Sequence, residues 1–372
     1  MKSQPKPNPH SSTFCVSPWM EMLLRPGNQF SPCSRNQGFE FDSNYDFFNQ
    51  PKLWELRYHL NQNQQHPSCF KCWEIENSGG ESRRQKVNRD WNHIWQRWLI
   101  AASNKPAIVE LPPTLTCNQV CVMCGPSYST LWEKHHTVFD RQYLRNWPGK
   151  SWEERQWQTL ILENENLHRV NLVGGEPLLW KGLEALLSNL SPIQTQVRIV
   201  TNLNLTSVSK RNLEKIKQYG NYQIQVSLHG IEDTFDFIST PASWKQFEYN
   251  VCWLNQLEID WMCSTTLQAL NFFDMQRIFD WAHNMGAKRR YVNWVHFPPE
   301  LSMKVVQKQW IDMDFEAVIE LNNNIHGLDG FFSSLKYFEF DPRLFEKFQQ
   351  LIMKWQNTFK RPIPKSWQNK IN

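Results

Sequence analysis

The sequence predicts an α/β fold in which parallel strands alternate with helices and curl into an open barrel. From about residue 105 to about residue 297, short β-rich runs alternate with amphipathic stretches, which is typical of strand–helix units around a parallel sheet. The chain has 372 residues, of which 40% are apolar, enough to bury the core of one large domain with a smaller companion. The most distinctive polar and cysteine motifs also follow the predicted strands, where such barrels collect their chemistry.

Six β-rich runs define the predicted strands of this open, partial (β/α)6 TIM-like barrel. Their bounds are 107–112, 170–173, 197–202, 223–228, 264–270 and 291–297. Helix candidates lie near 127–147, 151–166, 178–190, 208–219, 243–257 and 273–286. The loops after the C-terminal strand ends meet at one mouth of such a barrel, so we expect the functional residues there.

The chain outside 105–297 lacks this alternation. Residues 1–104 hold four cysteines, short β-like pieces and one helix near 83–100, so we expect a small, separate, cysteine-rich N-terminal domain. Residues 298–372 open with two prolines and continue into helical segments, which predicts a C-terminal helical extension.

Charge, hydropathy and cysteine usage limit the class of protein. The formal net charge is only +4, and the short basic runs at 83–89 and 288–290 are typical of solvated faces, so nucleic acid is not indicated as a partner. No apolar signal region and no apolar stretch of membrane-spanning length occurs, so we expect a soluble cytoplasmic protein with no membrane partner. The odd count of nine cysteines favours reduced thiols over a disulfide framework.

Three cysteines follow the first predicted barrel strand. Cys117, Cys121 and Cys124 have C-x3-C-x2-C spacing. A cubane with four irons needs four ligands, so three thiolates would hold an iron–sulfur cluster and leave one iron open for a cofactor or substrate. The spacing alone also fits a zinc loop or a chance cluster.

A glycine-rich loop follows the second predicted strand and contains Gly174, Gly175, Glu176 and Pro177. Two glycines permit unusual backbone angles and the close approach of a ligand, and the glutamate offers an acceptor for an ammonium group. A lone Gly-Gly pair often marks only a turn.

Polar residues also end the next three predicted strands. Asn202 follows the third strand, Ser227 ends the fourth with His229 two residues on, and Gln268 ends the fifth. Each alone is more often a turn residue or a helix cap. As a set at one barrel mouth, Asn202, Ser227 and Gln268 are candidate cofactor-binding residues.

The N-terminal cysteines are Cys15, Cys33, Cys69 and Cys72. Four thiols that end in a C-x2-C pair can bind one zinc or one complete [4Fe-4S] cluster, and spacing does not choose between these metals. Cys252 and Cys263 lie alone in apolar runs, so we expect both in the core.

The cysteine loop together with the Gly-Gly-Glu-Pro loop resembles the signature of radical S-adenosylmethionine (SAM) enzymes. The resemblance implies that Cys117, Cys121 and Cys124 hold a catalytic [4Fe-4S] cluster. Its open iron would bind the methionine moiety of SAM, and an electron from the cluster would cleave SAM to methionine and a 5′-deoxyadenosyl radical that abstracts hydrogen from a substrate. It also implies that residues 174–177 hold the methionine amino group, while Asn202, Ser227 and Gln268 contact ribose, carboxylate or adenine.

The N-terminal cysteines resemble the auxiliary-cluster modules of that superfamily, called SPASM in the long form and twitch in the short form. This resemblance implies a second [4Fe-4S] cluster, with zinc as the alternative, although the familiar module follows the barrel and this one precedes it. Members with such modules often modify peptides or proteins and others act on small molecules, so the substrate stays open and an external electron donor is expected. The rival hypotheses are a non-enzymatic zinc or iron–sulfur scaffold and a nucleic-acid-modifying radical SAM enzyme.

Overall fold

One large, mostly parallel sheet organises the chain in the computed structural model. The structure describes residues 5–371 except 26–28, 37, 47, 78, 93–104, 140–157, 159, 296, 313–317, 319–321, 323 and 336–337. Its strands are β1 Glu21–Arg25, β2 Gln29–Ser31, β3 Phe39–Glu40, β4 Ile108–Leu111, β5 Val120–Cys121, β6 Arg169–Leu172, β7 Gln196–Thr201, β8 Tyr222–Ser227, β9 Ser239–Thr240, β10 Trp261–Leu267, β11 Arg290–Trp294 and β12 Ile325–His326.

The strand order in the large sheet is β12-β11-β10-β8-β7-β6-β4-β1-β2-β3. All neighbouring pairs from β12 to β1 are parallel, and β2 and β3 continue the sheet as antiparallel strands. The six predicted barrel strands correspond to β4, β6, β7, β8, β10 and β11, which lie side by side in chain order. The predicted α/β class with a parallel sheet is therefore confirmed, and the sheet ends in two free edges instead of closing.

The sheet curls, because side chains from distant strands meet. The guanidinium carbon of Arg198 on β7 lies 5.9 Å from the ring centre of Tyr291 on β11, although β8 and β10 stand between these strands. In a flat sheet these strands would stand about 14 Å apart, and their side chains would have to lie along the sheet to approach so closely, so the contact indicates a curled sheet. The curled sheet encloses a cavity of about 590 Å³.

The helices in the described part of the chain are α1 Ser17–Met20, α2 Pro51–Asn61, α3 Phe70–Asn77, α4 Arg83–Asp90, α5 Leu183–Ser188, α6 Ser207–Tyr219, α7 Glu232–Ile238, α8 Trp244–Gln256, α9 Ala269–Phe272, α10 Met275–Asn284, α11 Leu328–Leu335, α12 Pro342–Phe359 and α13 Lys365–Gln368. The helices predicted at 208–219, 243–257 and 273–286 match α6, α8 and α10. The one predicted at 178–190 is a 3₁₀ turn followed by α5.

Three other helix predictions fall partly or mainly outside the described residues. The first part of the helix predicted near 83–100 is present as α4, and residues 93–100 lie outside the described residues. Of the helix predicted at 127–147, the structure describes a 3₁₀ turn at Thr130–Lys134, and residues 140–147 lie outside. Most of the stretch predicted at 151–166 also lies outside.

Helix α6 shows how local sequence sets an element. The Thr206 hydroxyl accepts a hydrogen bond from the backbone N–H of Ser209 at 3.2 Å and caps the first turn. Gly220 ends the helix with φ of +86°, an angle that glycine adopts without steric cost. Between them, Leu213 and Ile216 turn a buried face to the sheet.

The N-terminal segment shares the sheet with the barrel strands. Strand β1 pairs in parallel with β4, with Met22 opposite Val109, and α1 to α4 belong to the same segment. Arg57 of α2 is fully buried and donates hydrogen bonds to the carbonyls of Pro18 and Phe48. The division of the chain at residue 104 stays a prediction.

The C-terminal segment packs against the barrel through tryptophans. Trp355 of α12 is fully buried and donates to the carbonyl of Phe237 at 2.8 Å, while Trp367 of α13 donates to the carbonyl of Ala269 at 3.0 Å. In the residues that the structure describes, no helix is long and apolar enough to cross a membrane.

Candidate functional site

The cysteine loop follows β4 and is fixed at the C-terminal edge of the sheet. Its short strand β5 pairs with β9, so that Cys121 lies opposite Ser239, and the N–H of Val122 donates to the carbonyl of Ile238 at 3.0 Å. The indole of Trp132 donates to the carbonyl of Cys121 at 3.2 Å. Backbone bonds therefore hold the loop where the sequence predicted the barrel mouth.

The structure brings the three thiols of this loop together. A turn closes between Cys121 and Cys124, whose N–H donates to the Cys121 carbonyl at 2.9 Å. Burial, together with the negative charges of Glu176 and Cys124, raises the pKa of Cys117 to about 12. Burial and the two neighbouring thiols likewise hold the pKa of Cys121 well above its usual range. Thiols this buried need a bound cation to become thiolates.

The described residues do not form a preorganised metal site. Among the described His, Cys, Asp and Glu side chains, no group of three or more is arranged to hold a metal ion. The role of Cys117, Cys121 and Cys124 as cluster ligands therefore stays a prediction that rests on their chemistry and proximity.

Gly174 and Gly175 occupy a tight passage beside the cysteine loop. Both have positive φ angles, +75° and +32°. A Cβ added to Gly175 would lie 2.5 Å from the carbonyl oxygen of Thr116, and one added to Gly174 would lie 2.6 Å from the Cβ of Pro112. Glycine is therefore required here for backbone angle and for space. Pro177, which is buried, starts the 3₁₀ turn that follows.

Glu176 is buried and connects two strand-end loops. One carboxylate oxygen accepts the N–H of Asn202 at 2.7 Å and the other accepts the N–H of Leu178 at 3.0 Å. Burial raises the pKa of Glu176 to about 7, and these hydrogen bonds oppose that rise. The sequence suggested Glu176 as an acceptor for an ammonium group. In the structure its carboxylate already accepts two backbone N–H groups, so a ligand could use only its remaining lone pairs.

Asn202 extends this contact to the cysteines. Its amide nitrogen lies 3.0 Å from the side-chain oxygen of Asn118 and 3.6 Å from the sulfur of Cys117. Asn118 in turn donates to the carbonyl of Asn204 at 2.6 Å. The sequence reasoning singled out Asn202 but missed Asn118, although its place next to Cys117 was a usable signal.

Gln268 reaches the cysteine loop from β10. It is fully buried, and its amide nitrogen lies 3.7 Å from the sulfur of Met123. Its side-chain oxygen is buried without a hydrogen-bond partner in the described part of the chain, and so is the amide nitrogen of Gln119. Buried polar atoms left unpaired are costly. One acceptor and one donor beside the loop therefore suit a polar cofactor.

Ser227 and His229 lie one strand away from Gln268. Ser227 ends β8 in register with Ser264 of β10. His229 accepts the N–H of Thr266 through Nδ1 at 3.2 Å, and burial lowers its pKa to about 4. The imidazole is therefore neutral at pH 7, with its proton on Nε2. The assignment of Ser227 to a cofactor stays a prediction.

The four N-terminal cysteines line one small cavity. Cys15 precedes α1, Cys33 follows β2, Cys69 ends a 3₁₀ turn and Cys72 lies in α3, and all four border this cavity together with Arg83. Burial, reinforced by Cys33 and Cys72, raises the pKa of Cys69 to about 12. The sequence predicted that these thiols share one site, and the structure brings them to one cavity; metal binding there stays a prediction.

The two remaining cysteines behave differently from each other. Cys263 is buried in β10, as expected. The expectation that Cys252 lies in the core is wrong, because Cys252 is exposed. The buried face of α8 comprises Phe247, Asn250, Val251 and Leu254, and position 252 falls on the other side of the helix.

Residues 111–282 match the family model described as the Radical SAM superfamily. This matched domain, a little under half of the chain, is similar to radical SAM superfamily domains. The domain spans the cysteine loop, the Gly-Gly-Glu-Pro loop and the strand ends that carry Asn202, Ser227 and Gln268.

A curated relative and two solved structures resemble the chain. The relative is the sporulation killing factor maturation protein SkfB of Bacillus subtilis (strain 168), 22% identical over 285 residues that cover 72% of this chain and 64% of SkfB. The Streptococcus suis protein SuiB, bound to the precursor peptide SuiA, is 13% identical with a TM-score of 0.42, and the match covers 77% of this chain and 63% of SuiB.

The second structure is anSMEcpe with bound AdoMet, 13% identical with a TM-score of 0.41 over 59% of this chain and 62% of anSMEcpe. This chain therefore spans slightly less than two thirds of the length of each of these proteins. The assignment of the radical SAM domain rests on the family model and on this chain's own motifs and strand order.

Replacing Gly175 with Ala should displace the cysteine loop of the radical SAM domain, because the added Cβ would overlap backbone atoms of residues 114–116. Gly220→Ala is the matched control, since Gly220 also has positive φ but nothing lies within 4 Å of an added Cβ. We expect the control to cost about 1–2 kcal/mol and Gly175→Ala to cost more and to lose iron after anaerobic reconstitution. Equal unfolding free energies and equal iron contents would contradict the close packing.

Glu176→Gln should destabilise the fold by about 1–3 kcal/mol, because the amide would turn a donor toward one of two backbone N–H groups. Urea denaturation measures the change. Glu184→Gln is the control, since Glu184 pairs with Lys215 at the surface with a side chain 58% exposed, and we expect a change below about 0.5 kcal/mol. A Glu176→Gln variant as stable as the control would mean that the two backbone bonds contribute little.

Proposed function

We propose that this chain is a radical SAM enzyme in which Cys117, Cys121 and Cys124 hold a [4Fe-4S] cluster at the barrel mouth. The observation that carries the proposal is that three partly buried cysteines lie beside the Gly-Gly-Glu-Pro loop, at consecutive strand ends of a domain that matches the radical SAM family model. When bound, the cluster and SAM supply reductive cleavage to methionine and a 5′-deoxyadenosyl radical, with the electron coming from an external donor.

The chain's own residues then bind, orient and exclude water. Gly175 gives the close approach that a cofactor held against the backbone requires. The unpaired oxygen of Gln268 and the unpaired amide of Gln119 offer an acceptor and a donor beside the loop. Trp132 and Trp355 are fully buried with ring centres 5.7 Å apart, which keeps solvent away from the backbone that carries Cys121.

A peptide or protein is the proposed substrate class. The support is the relative SkfB, whose name describes maturation of a sporulation killing factor. The chain also encloses a cavity of about 590 Å³ inside the barrel, large enough for one or a few side chains of a substrate.

The N-terminal cysteines are proposed to hold a second [4Fe-4S] cluster, with zinc as the alternative metal. Four thiols around one cavity support a complete set of protein ligands. Arg35 and Arg83 border the same cavity, and their positive charges would offset the negative charge of four thiolates around either metal. Metal analysis is therefore needed to choose between iron and zinc.

Anaerobic reconstitution with iron and sulfide, followed by dithionite and SAM, should yield 5′-deoxyadenosine. Cys117→Ala should reduce the product to background, because each of the three thiolates supplies a bond that no neighbouring side chain replaces. Cys252→Ala is the matched control, since Cys252 is exposed on α8, and it should retain full product. Formation of 5′-deoxyadenosine by Cys117→Ala at the control rate would exclude Cys117 as a ligand.

Metal analysis should find about eight irons per chain after reconstitution if both sites hold cubanes. Cys69→Ala should then lower the count to about four, while Cys252→Ala keeps about eight. About four irons with one zinc in the unaltered protein would identify the N-terminal site as a zinc site. An iron count that Cys69→Ala does not change, with no zinc present, would refute any metal at the four cysteines.

A further inference from the structure

The barrel interior opens into a cavity that adjoins the site of the four N-terminal cysteines. Its wall includes Arg169 and Arg198 from the sheet and shares Arg35 and Arg83 with the cavity of the four N-terminal cysteines. Its wall residues Ile108, Arg169 and Ile325 are the first residues of β4, β6 and β12, so the cavity lies toward the N-terminal ends of the strands. A group bound in this cavity would therefore lie inside the barrel, beneath the mouth.

Two arginines enter this cavity from adjacent strands. Arg169 begins β6, and Arg198 lies on β7 opposite Asn171. Arg169 stacks over the ring of Trp91 at 4.8 Å, and Arg198 donates to the side-chain oxygen of Gln225. These contacts hold the flat guanidinium groups in place and leave other N–H groups of each for a ligand.

Neither arginine is in direct contact with a carboxylate among the described residues, although Glu21 acts electrostatically on Arg169 and Glu110 on Arg198. In the described part of the chain, no carboxylate forms an ion pair with Arg169 or Arg198, and the Nε atom of each is buried without a hydrogen-bond partner. Burial and the charge of Arg198 lower the pKa of Arg169 to about 10, so both side chains remain charged at pH 7. Two like charges held together in a poorly solvated cavity are costly unless an anion balances them.

The nearby carboxylates do not supply that balance. Glu21 already pairs with Arg83 at 2.6 Å. Burial raises the pKa of Glu110 and the charge of Arg198 opposes that rise, while the Glu110 carboxyl group accepts a hydrogen bond from the amide of Asn171 at 3.4 Å. The other carboxylates of the cavity wall, Glu81, Asp90 and Asp329, pair with Lys86 and Arg89. Positive charge is therefore in excess at the two guanidinium groups.

We propose that Arg169 and Arg198 bind an oxyanion of the substrate, a carboxylate or phosphate group, inside the barrel. The inference rests on the proposed function, since it assigns the substrate-binding end of the same barrel. Paired guanidinium groups on neighbouring strands suit oxyanions because each presents a planar fork of N–H donors. In a peptide substrate the oxyanion is the carboxylate of an acidic side chain or of the C-terminus.

A route from the surface to this cavity is present. A second cavity of about 730 Å³ shares Arg35, Ile75, Trp294 and Gly330 with the first. Its outer wall includes the apolar side chains of Phe338 and Leu344. The second cavity is apolar and the first is cationic. An extended peptide with apolar residues and one acidic group would therefore fit the two cavities in turn.

Calorimetric titration of the anaerobically reconstituted protein with inorganic phosphate, and separately with succinate, tests the proposal. We expect at least one of these two anions to bind, and Arg169→Gln and Arg198→Gln each to weaken that binding about 10- to 100-fold. Binding of phosphate alone would identify a phosphate site and binding of succinate a carboxylate site. Arg211→Gln, at an exposed position on α6, should bind as the unaltered protein does.

Arginine labelling with phenylglyoxal keeps the test decisive if a glutamine variant does not fold. Mass spectrometry of the unaltered protein should show that the bound anion protects Arg169 and Arg198 but leaves Arg211 labelled. No binding of either anion, unchanged affinity in folded Arg variants, or labelling of the pair without protection would each overturn the proposal.

The outcomes also separate this inference from the proposed function. Anion binding at the pair without 5′-deoxyadenosine formation would refute the radical SAM activity and leave the oxyanion site standing. Formation of 5′-deoxyadenosine with no anion bound would refute the oxyanion site and leave the proposed radical SAM activity standing.

Discussion

The site depends on one buried carboxylate and the backbone around it. Glu176 accepts the N–H of Asn202 from the loop after β7, and its own N–H donates to the carbonyl of Thr116 in the loop after β4 at 2.8 Å. Gly175 donates in the same way to the carbonyl of Tyr128 at 2.9 Å. Three consecutive strand ends are thus joined through a single dipeptide, and hydrogen bonds of this kind are electrostatically stronger in a poorly solvated interior than in water. The position of the cysteine loop follows from β6 and β7 as much as from β4.

The barrel strands were predictable because their signal is local. Each of β4, β6, β7, β8, β10 and β11 is a short run of β-forming residues bounded by polar loops, and the parallel pairing follows from the helices between them. Strand β1 was not predicted as part of the sheet, since its pairing with β4 joins residues far apart in the chain. Strand β12 has only two residues. Short edge strands of this kind carry no pattern that a sequence window can detect.

The site residues also divide into those with a local signal in the sequence and those without one. Thiols and paired glycines were identifiable because few other residues meet their chemical or backbone requirements. The contacts of Gln268 with Met123 and of Asn118 with Asn202 arise only when separate strand ends meet. The support that Trp355 gives to the cysteine loop through Trp132 comes from the far end of the chain. Sequence reasoning found no motif in that C-terminal segment, because packing against a tryptophan leaves no sequence signature of its own.

The polar barrel interior did have a local signal, which the sequence reasoning did not use. Strands buried on both faces of a parallel sheet are usually apolar throughout, and barrel interiors are usually filled by branched apolar side chains. Strand β6 and the first four residues of β7 instead alternate polar and apolar residues, and their burial alternates in step. Val170, Leu172, Val197 and Ile199 are fully buried, on the face opposite to the arginines.

Hydrophobic stabilisation of the sheet therefore comes from its outer face, where the helices pack, and the inner face contributes little of it. A protein gains no stability by lining a cavity with unpaired guanidinium groups, so their retention in the interior is better explained by binding than by folding. The same alternation that weakens the core of the barrel leaves a charged space next to the N-terminal cysteines, where a substrate can lie.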